Sequence, residues 1–320
     1  MDSFRLFDFQ ASTKQDWKNA VIKELKNDPY TSVEFEIDGL TFDPYYTLEE
    51  TIDFRDTFPR HWDMMRAGED FDLRNKSGNV HFATSVSQNM TAPNFIFSEI
   101  ETDQLVRLLE GNTALYPILS PQSEAAAVKA NALLKNHPLS DKFIWLQSYS
   151  PSGNIGLIET MLDLSENIIE AGPNWLNTMD RNKAGTNGLF INMKLSGNFI
   201  KDIVKARAYK SLWYNWLEQQ GRPIKTPIFI NVYWDYTGQF PDHIVDQSVN
   251  MLIAANCQAD RIKIKVPGLD KTEDRTIRHV FNVASIESHI DSINDAVSGS
   301  YFISYVSAML AKSAWEAYCG

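Results

Sequence analysis

Three polar residues alternate with large apolar residues along a stretch that is typical of a β-strand. Asn231, Tyr233 and Asp235 share one face of the strand predicted at residues 228–233, and Asn192 lies in the strand predicted before it. Two interpretations are open: the polar face lines a remodelled substrate pocket, or it forms a plug whose groups hydrogen-bond to one another. The plug is favoured, and the four residues are the candidates if a pocket exists.

Lys263 and Lys265 show the same alternation, with Ile262, Ile264 and Val266 between and around them. Two lysines on one strand face would suit an anion site. A solvated face on an edge strand is the favoured interpretation, because lysines are commonly used to protect sheet edges.

The common catalytic motifs are absent from the sequence. There is no Walker A loop, no H-E-x-x-H, no G-x-S-x-G and no cysteine pair with metal-ligand spacing. The two cysteines, Cys257 and Cys319, do not form a disulfide framework and indicate a reducing cytoplasm. We therefore predict no metal site.

Short β-like runs alternate with amphipathic stretches from about residue 58 onward, which is the pattern of a parallel sheet. Strands are predicted at residues 80–83, 95–97, 115–119, 143–146, 189–193, 228–233 and 262–266. Helices are predicted at residues 102–109, 123–134, 155–169, 200–219 and 242–255. A closed barrel needs eight strands, so either one more lies within residues 58–79 or the barrel is incomplete. The predicted fold class is α/β, a TIM-like (β/α) barrel, complete or shortened.

Residues 1–57 read as an N-terminal arm. Trp17, Ala20, Val21 and Leu25 fall on one face of a predicted helix. An alternating run, the turn signal Asp38-Gly39 and a second short run then predict a β-hairpin. We therefore divide the chain into a helix-hairpin arm, predicted to contact a partner subunit, and a barrel at residues 58–320.

Composition limits the function classes. The chain has 320 residues, of which 43% are hydrophobic, enough for a substantial core. Its 30 basic and 41 acidic residues give a net charge of −11, which argues against binding nucleic acid or an anionic membrane. The first residues lack the pattern of a secretory signal, and no apolar run is long enough to span a bilayer. A cytoplasmic protein is predicted.

Several segments, in order along the chain, carry a family pattern. Residues 203–213 read I-V-K-A-R-A-Y-K-S-L-W, and residues 14–18 and 39–47 read K-Q-D-W-K and G-L-T-F-D-P-Y-Y-T. Arg275, Arg278, Asp295 and the run Ser298-Gly299-Ser300-Tyr301 follow in the C-terminal part. Together these segments resemble the methylmalonyl-CoA mutase family, whose barrel helix reads I-A-K-x-R-A-x-R-x-L-W.

The resemblance fails where the family places its substrate-binding residues. The family strand L-L-R-x-H-x-Q-T-S-G is replaced here by a strand with Asn231 for Arg, Tyr233 for His and Asp235 for Gln. The family's Tyr-His pair corresponds to Tyr149 and Ser150. An Asn cannot replace the bidentate anion binding of an Arg, so no catalytic residue is assigned.

The family's cobalamin motif, D-x-H-x-x-G, is also absent. The resemblance therefore implies that this chain alone holds no cofactor and that adenosylcobalamin is bound only by a partner. It implies a small, non-catalytic subunit that is inactive alone and supports a large mutase subunit interconverting methylmalonyl-CoA and succinyl-CoA. The chain would form a heterodimer with that subunit, or a homodimer. The alternative is an independent acyl-CoA-binding protein or enzyme with a remodelled barrel lumen.

Overall fold

The computed structural model describes residues 12–50, 65–75, 90–146, 156–181, 188–223, 226–235, 242–263, 271–290, 292–293 and 295–320. The strand predicted at residues 80–83 and the pair Tyr149 and Ser150 lie outside these ranges. The predicted boundary between arm and barrel, at residues 57 and 58, lies outside them as well.

The arm begins with a capped helix and continues into a hairpin. Its elements are α1 (Lys14–Leu25), a 3-10 turn (Tyr30–Val33), β1 (Phe35–Ile37), β2 (Leu40–Phe42) and a second 3-10 turn (Leu48–Glu50). The Thr13 hydroxyl accepts the N–H of Asp16, whose carboxylate in turn accepts the N–H of Thr13. Asp38 and Gly39 both have positive φ, as a two-residue hairpin turn requires. The predicted helix-hairpin arm is confirmed.

Nine parallel strand segments form the barrel sheet. They are β3 (Arg66–Gly68), β4 (Asp70–Asp72), β5 (Asn94–Phe97), β6 (Ile118–Pro121), β7 (Ile144–Leu146), β8 (Gly156–Asp163), β9 (Leu189–Lys194), β10 (Ile228–Tyr233) and β11 (Arg261–Lys263). From β4 to β11, each segment pairs in parallel with its neighbours in the chain.

The sheet closes at its first strand. β3 and β4 are separated only by Glu69, and they pair on opposite sides, β3 with β11 and β4 with β5. Counted as one interrupted strand, they complete the eight strands of a TIM-like barrel. The extra strand therefore lies within residues 58–79, and the predicted α/β barrel class is confirmed.

One predicted helix is wrong. Residues 155–169 form strand β8, a turn and the start of the next helix rather than a single helix. The stretch from Leu157 to Asp163 also alternates between two faces, and β8 pairs with β9 from Ile158 to Asp163 and with the end of β7. Pairing on both sides decides between the two periodicities, because strand formation depends on neighbouring strands more than on local preference.

Helices cover the outside of the sheet. They are α2 (Thr102–Leu109), α3 (Glu124–Leu134), α4 (Ile168–Arg181), α5 (Phe199–Gln219), α6 (Asp242–Asn256), α7 (Lys271–Asn282) with a π-helical extension (Val283–Glu287), and α8 (Tyr301–Cys319). The helices predicted at 102–109, 123–134, 200–219 and 242–255 agree within a residue at each end. The largest hydrophobic core lies between the outer faces of β8–β10 and helices α4, α5 and α8.

Helix α5 buries three cationic side chains in that core. The Lys205 ammonium lies 2.8 Å from an Asp38 oxygen and donates to the carbonyls of Leu164 and Glu166. Arg207 donates to both carboxylate oxygens of Asp295, at 3.0 and 2.9 Å. Buried charges are tolerated only when paired in this way. These positions of the family-like helix therefore hold the scaffold together.

The arm packs against the barrel of its own chain. Ile37 and Phe42 of the hairpin belong to the main core, and Tyr46 stacks on Tyr305 of α8 with 4.1 Å between ring centroids. Asp38, at the hairpin turn, pairs with Lys205 and accepts the N–H of Ile168 at the start of α4. The hairpin is thus fixed to α4, α5 and α8. Contact of the arm with a partner subunit stays a prediction.

Asp38→Ala is expected to lower the free energy of unfolding by about 3 kcal/mol, because it leaves the Lys205 ammonium buried without its carboxylate. Urea denaturation followed by tryptophan fluorescence measures the loss. The double variant Asp38→Ala/Lys205→Met should recover part of it, since the stranded charge is gone. A loss below about 1 kcal/mol in the single variant would mean that this ion pair does not fix the hairpin.

Lys210 makes stability depend on pH. Its ammonium donates to the Cys257 carbonyl and to the Gln258 side chain, and burial, opposed by Asp260, lowers the pKa of Lys210 from 10.5 to about 7. Between these two pH values the unfolded chain binds a proton that the folded chain does not. The free energy of unfolding should therefore fall as the pH is lowered from 10 to 7, by up to about 1.4 kcal/mol per pH unit, and level off below 7.

Urea denaturation of the wild type and of Lys210→Met at pH 7, 8 and 9 tests this. The difference in stability between the two proteins should change with pH in favour of the wild type at high pH. Lys312→Met, which removes an exposed lysine, is the control and should leave the pH dependence unchanged. Parallel pH curves for the wild type and Lys210→Met would contradict the assignment.

Candidate functional site

Seven polar side chains form a hydrogen-bonded ring inside the barrel, and we call them the polar ring: Asp70, Asn94, Ser120, Glu159, Asn192, Asn231 and Arg261. They come from seven of the eight strands. Asn192, Asn231 and Arg261 occupy matching positions on β9, β10 and β11 in the strand register, so their side chains emerge side by side.

One half of the polar ring runs from β8 to β11. The Asn192 amide donates to a Glu159 carboxylate oxygen at 2.6 Å, and its own oxygen accepts from the Asn231 amide at 2.6 Å. The Asn231 oxygen then accepts from Arg261 Nη1 at 2.9 Å. Asn231 is buried, and both ends of its amide are used within the ring.

The other half runs across the seam of the barrel. Arg261 Nη2 donates to Asp70 at 3.1 Å, and Arg261 Nε donates to the Ala92 carbonyl at 2.9 Å. Asp70 also accepts from the Asn94 amide at 3.3 Å, and the Asn94 oxygen accepts from Ser120 at 2.6 Å. A single buried guanidinium thus joins β10, β4 and the entry to β5.

The charges in the ring stabilise one another. Burial raises the pKa of the Asp70 carboxyl, but Arg261 and Lys263 outweigh that effect and hold the pKa below its ordinary value. The Lys263 ammonium lies 2.6 Å from Asp70. Gly68 leaves room for the guanidinium, because a Cβ at that position would lie 2.0 Å from Arg261 Nε. The solvated-edge interpretation of Lys263 is therefore wrong, since the barrel closes and has no edge at β11.

An apolar layer fills the barrel on the amino-terminal side of the ring. Phe190 and Phe229 precede Asn192 and Asn231 by two residues on their strands, and their rings stack with 4.8 Å between centroids. The remaining members of this layer are all buried: Ala92, Ile118, Ile144, Leu146 and Leu157. The described interior is packed in the manner of TIM-barrel cores rather than left open as a channel.

Lys194 links three strand ends at the carboxyl-terminal mouth of the barrel. Its ammonium lies 2.7 Å from Asp235 and 3.6 Å from Asp163. The hydrogen bond to Asp235 is the main reason that the pKa of Lys194 is raised. Tyr233 lies beside this group, and burial raises the pKa of its hydroxyl. The mouth therefore carries the exposed charges of the barrel.

The structure separates the four predicted site residues that it describes into two groups. Asn192 and Asn231 belong to the polar ring, whereas Tyr233 and Asp235 lie further along at the mouth, and Asp235 pairs with Lys194. Tyr149 and Ser150 are outside the described residues. Sequence analysis missed the other ring members: Asp70, Asn94, Ser120, Glu159 and Arg261.

The signals for the missed residues differ. Arg261 lies at the start of the alternating stretch that ends with Lys263, so extending that pattern by two residues would have found it. Glu159 was hidden because its segment was predicted as a helix. Asp70 alternates with Phe71 in a three-residue strand that is too short to stand out.

The described residues contain neither a metal-binding cluster nor a membrane-spanning helix. No group of three or more His, Cys, Asp or Glu among them is placed to hold a metal ion. Within the same ranges, every helix is too short or not apolar enough to cross a bilayer.

No family model and no curated protein matches this sequence. Two solved structures are similar in fold at low level. Mycobacterium tuberculosis Rv1207 is 10% identical, with 72% of this chain and 95% of that chain covered at a TM-score of 0.36. Yersinia pestis DHPS with a pterine-sulfa conjugate is 11% identical, with 80% and 99% covered at a TM-score of 0.36. Neither similarity bears on the activity of this chain.

Asn231→Leu is expected to lower the free energy of unfolding by about 2–3 kcal/mol, because Arg261 and Asn192 each lose a buried partner. Chemical denaturation measures the change. Asp235→Asn, on the same strand face but exposed, is the matched control and should change stability by less than about 0.5 kcal/mol. Equal effects of the two variants would show that the ring does not stabilise the barrel.

Proposed function

We propose that this chain is a non-catalytic barrel subunit of the methylmalonyl-CoA mutase type, which supports isomerisation by a large subunit. The observation that carries the proposal is the state of Asn231. It stands where the family has its substrate-binding Arg, and both ends of its amide are used within the polar ring. A lumen whose polar groups pair with one another leaves none to hold a thioester or a carboxylate.

The apolar layer supports the same proposal. Phe190 and Phe229 stack where a substrate-holding lumen would need space, and their neighbours are buried. The charges at the mouth also disfavour a polyanionic ligand, because Lys194 lies between Asp163 and Asp235 rather than free to meet a phosphate. The acyl-CoA-binding alternative therefore has less support.

The described residues do not fit cobalamin. The family motif supplies an imidazole to cobalt, whereas the histidines in the described ranges lie elsewhere: His137 before β7, His279 in α7 and His289 after the π-helix. Adenosylcobalamin would accordingly belong to the partner subunit. The two unpaired cysteines, Cys257 and Cys319, agree with a reducing cytoplasmic location, which is part of the proposal.

The partner surface is placed on the arm. Tyr45 and Leu48 are large apolar residues that the barrel leaves exposed, Leu48 by 67%. They follow the hairpin whose other residues are fixed to α8. Exposed apolar side chains on a rigid support are suited to contact another chain. The large mutase subunit is the proposed occupant, and a second copy of this chain is the alternative.

Co-expression with a large mutase subunit from the same genome tests the proposal. The two chains should co-purify in equal amounts, and Tyr45→Glu/Leu48→Glu should abolish the complex without unfolding the protein. Ile100→Glu is the matched control, because Ile100 is 85% exposed but lies outside the arm, next to α2. Its complex should be intact.

Three results would contradict the proposal. The first is full mutase activity of the large subunit alone with no co-purification. The second is conversion of methylmalonyl-CoA by this chain with added adenosylcobalamin. The third is micromolar binding of an acyl-CoA to the isolated chain in calorimetry, which would favour the alternative function.

A further inference from the structure

A cleft of about 450 Å³ opens at the mouth of the barrel, beside the polar ring and separate from it. It lies where β8, β9 and β10 end and meet the first half of α6. Six of its lining residues carry the argument: Asp163, Lys194, Asp235, Asp246, Val249 and Asn250. Clefts at this end of a TIM-like barrel are the usual place for a small-molecule site.

The hydrogen-bond donors that line the cleft are already occupied. The backbone N–H groups of Ser196 and Gly197 donate to the Asp202 carboxylate, as does the Ser196 hydroxyl. The indole N–H of Trp234 donates to Gln247 at 2.6 Å. Lys194 is held between its two carboxylates. An anion entering the cleft would therefore find its donors already paired with protein acceptors.

The acceptors, in contrast, remain open. Within the described residues, the Asn250 side-chain oxygen is inaccessible to solvent and receives no hydrogen bond. Asp235 uses only one of its oxygens, on Lys194, and Asp246 is exposed with no ion pair inside those same ranges. A buried acceptor without a donor costs about 1–3 kcal/mol, so a ligand N–H would be favoured there.

The charge of the cleft also favours a cation. Three carboxylates and one ammonium give 1 − 3 = −2. A metal ion is not the match, because in the described part of the chain these carboxylates do not gather into a metal-binding group. Lys194 itself shows that an alkylammonium is stabilised at this place. Leu195 and Val249 add apolar surface for methylene groups.

We propose that this cleft binds a short aliphatic diamine in its diammonium form. The two ammonium groups would donate to Asp235 on one side and to Asp246 and Asn250 on the other, one turn apart on α6. The methylene chain would pack on Leu195 and Val249. The site is independent of the proposed subunit role, because no residue of the polar ring or of the arm takes part.

Calorimetric titration of the full chain with 1,4-diaminobutane tests the site. One saturable site per chain is expected, whereas 1,4-butanediol should not bind. Asp246→Asn should weaken binding about tenfold, since it removes one charge-assisted hydrogen bond. Glu110→Gln removes an exposed carboxylate away from the cleft and is the matched control, with affinity unchanged.

Asn250→Leu separates binding from folding. It should raise the thermal midpoint slightly, because the unpaired buried oxygen is gone, and yet weaken diamine binding. No saturable binding to the wild type would overturn the proposal. Equal losses in Asp246→Asn and Glu110→Gln would also overturn it, since binding would then reflect only the net charge. Binding of the diol as tight as that of the diamine would do the same.

Discussion

The buried guanidinium of Arg261 is the interaction on which the barrel depends. A guanidinium without water must have its donors satisfied by the protein, and Arg261 finds acceptors on three separate segments: Ala92, Asn231 and Asp70. Two of them lie on either side of the seam between β11 and the interrupted first strand. The group that most needs partners therefore lies where the sheet must close, and Gly68 provides the space for it.

That requirement decides what the interior can do. Each ring member answers the hydrogen-bonding needs of its neighbour, and the stacked Phe190 and Phe229 fill the volume next to the ring. A barrel core of this kind contributes to stability and specificity of fold, and it does not hold reactive groups in reserve. Chemistry or ligand binding is left to the mouth, where Lys194 and three carboxylates face the cleft. Both proposals follow from this division between a committed interior and an open rim.

The sequence predicted much of the frame and only part of the site. Alternation placed β7, β9 and β10, and helical periodicity placed four helices, because each of these patterns is long or uninterrupted. It failed for β8, whose residues satisfy both periods until pairing with β9 decides, and for β3 and β4, which are three residues each. The ring was half visible: Asn192 and Asn231 lay on recognised strands. Their partners Asp70 and Arg261 are distant in sequence, and only barrel closure brings them together.

Side-chain amide NMR of Asn192 and Asn231 tests the central claim most directly, because these NH2 groups report on the ring itself. If the interior is committed to its own hydrogen bonds, their signals should exchange slowly with solvent and stay unchanged when methylmalonyl-CoA is added in excess. Signals that exchange at the rate of exposed amides, or that shift to a saturating limit with the CoA ester, would contradict the account.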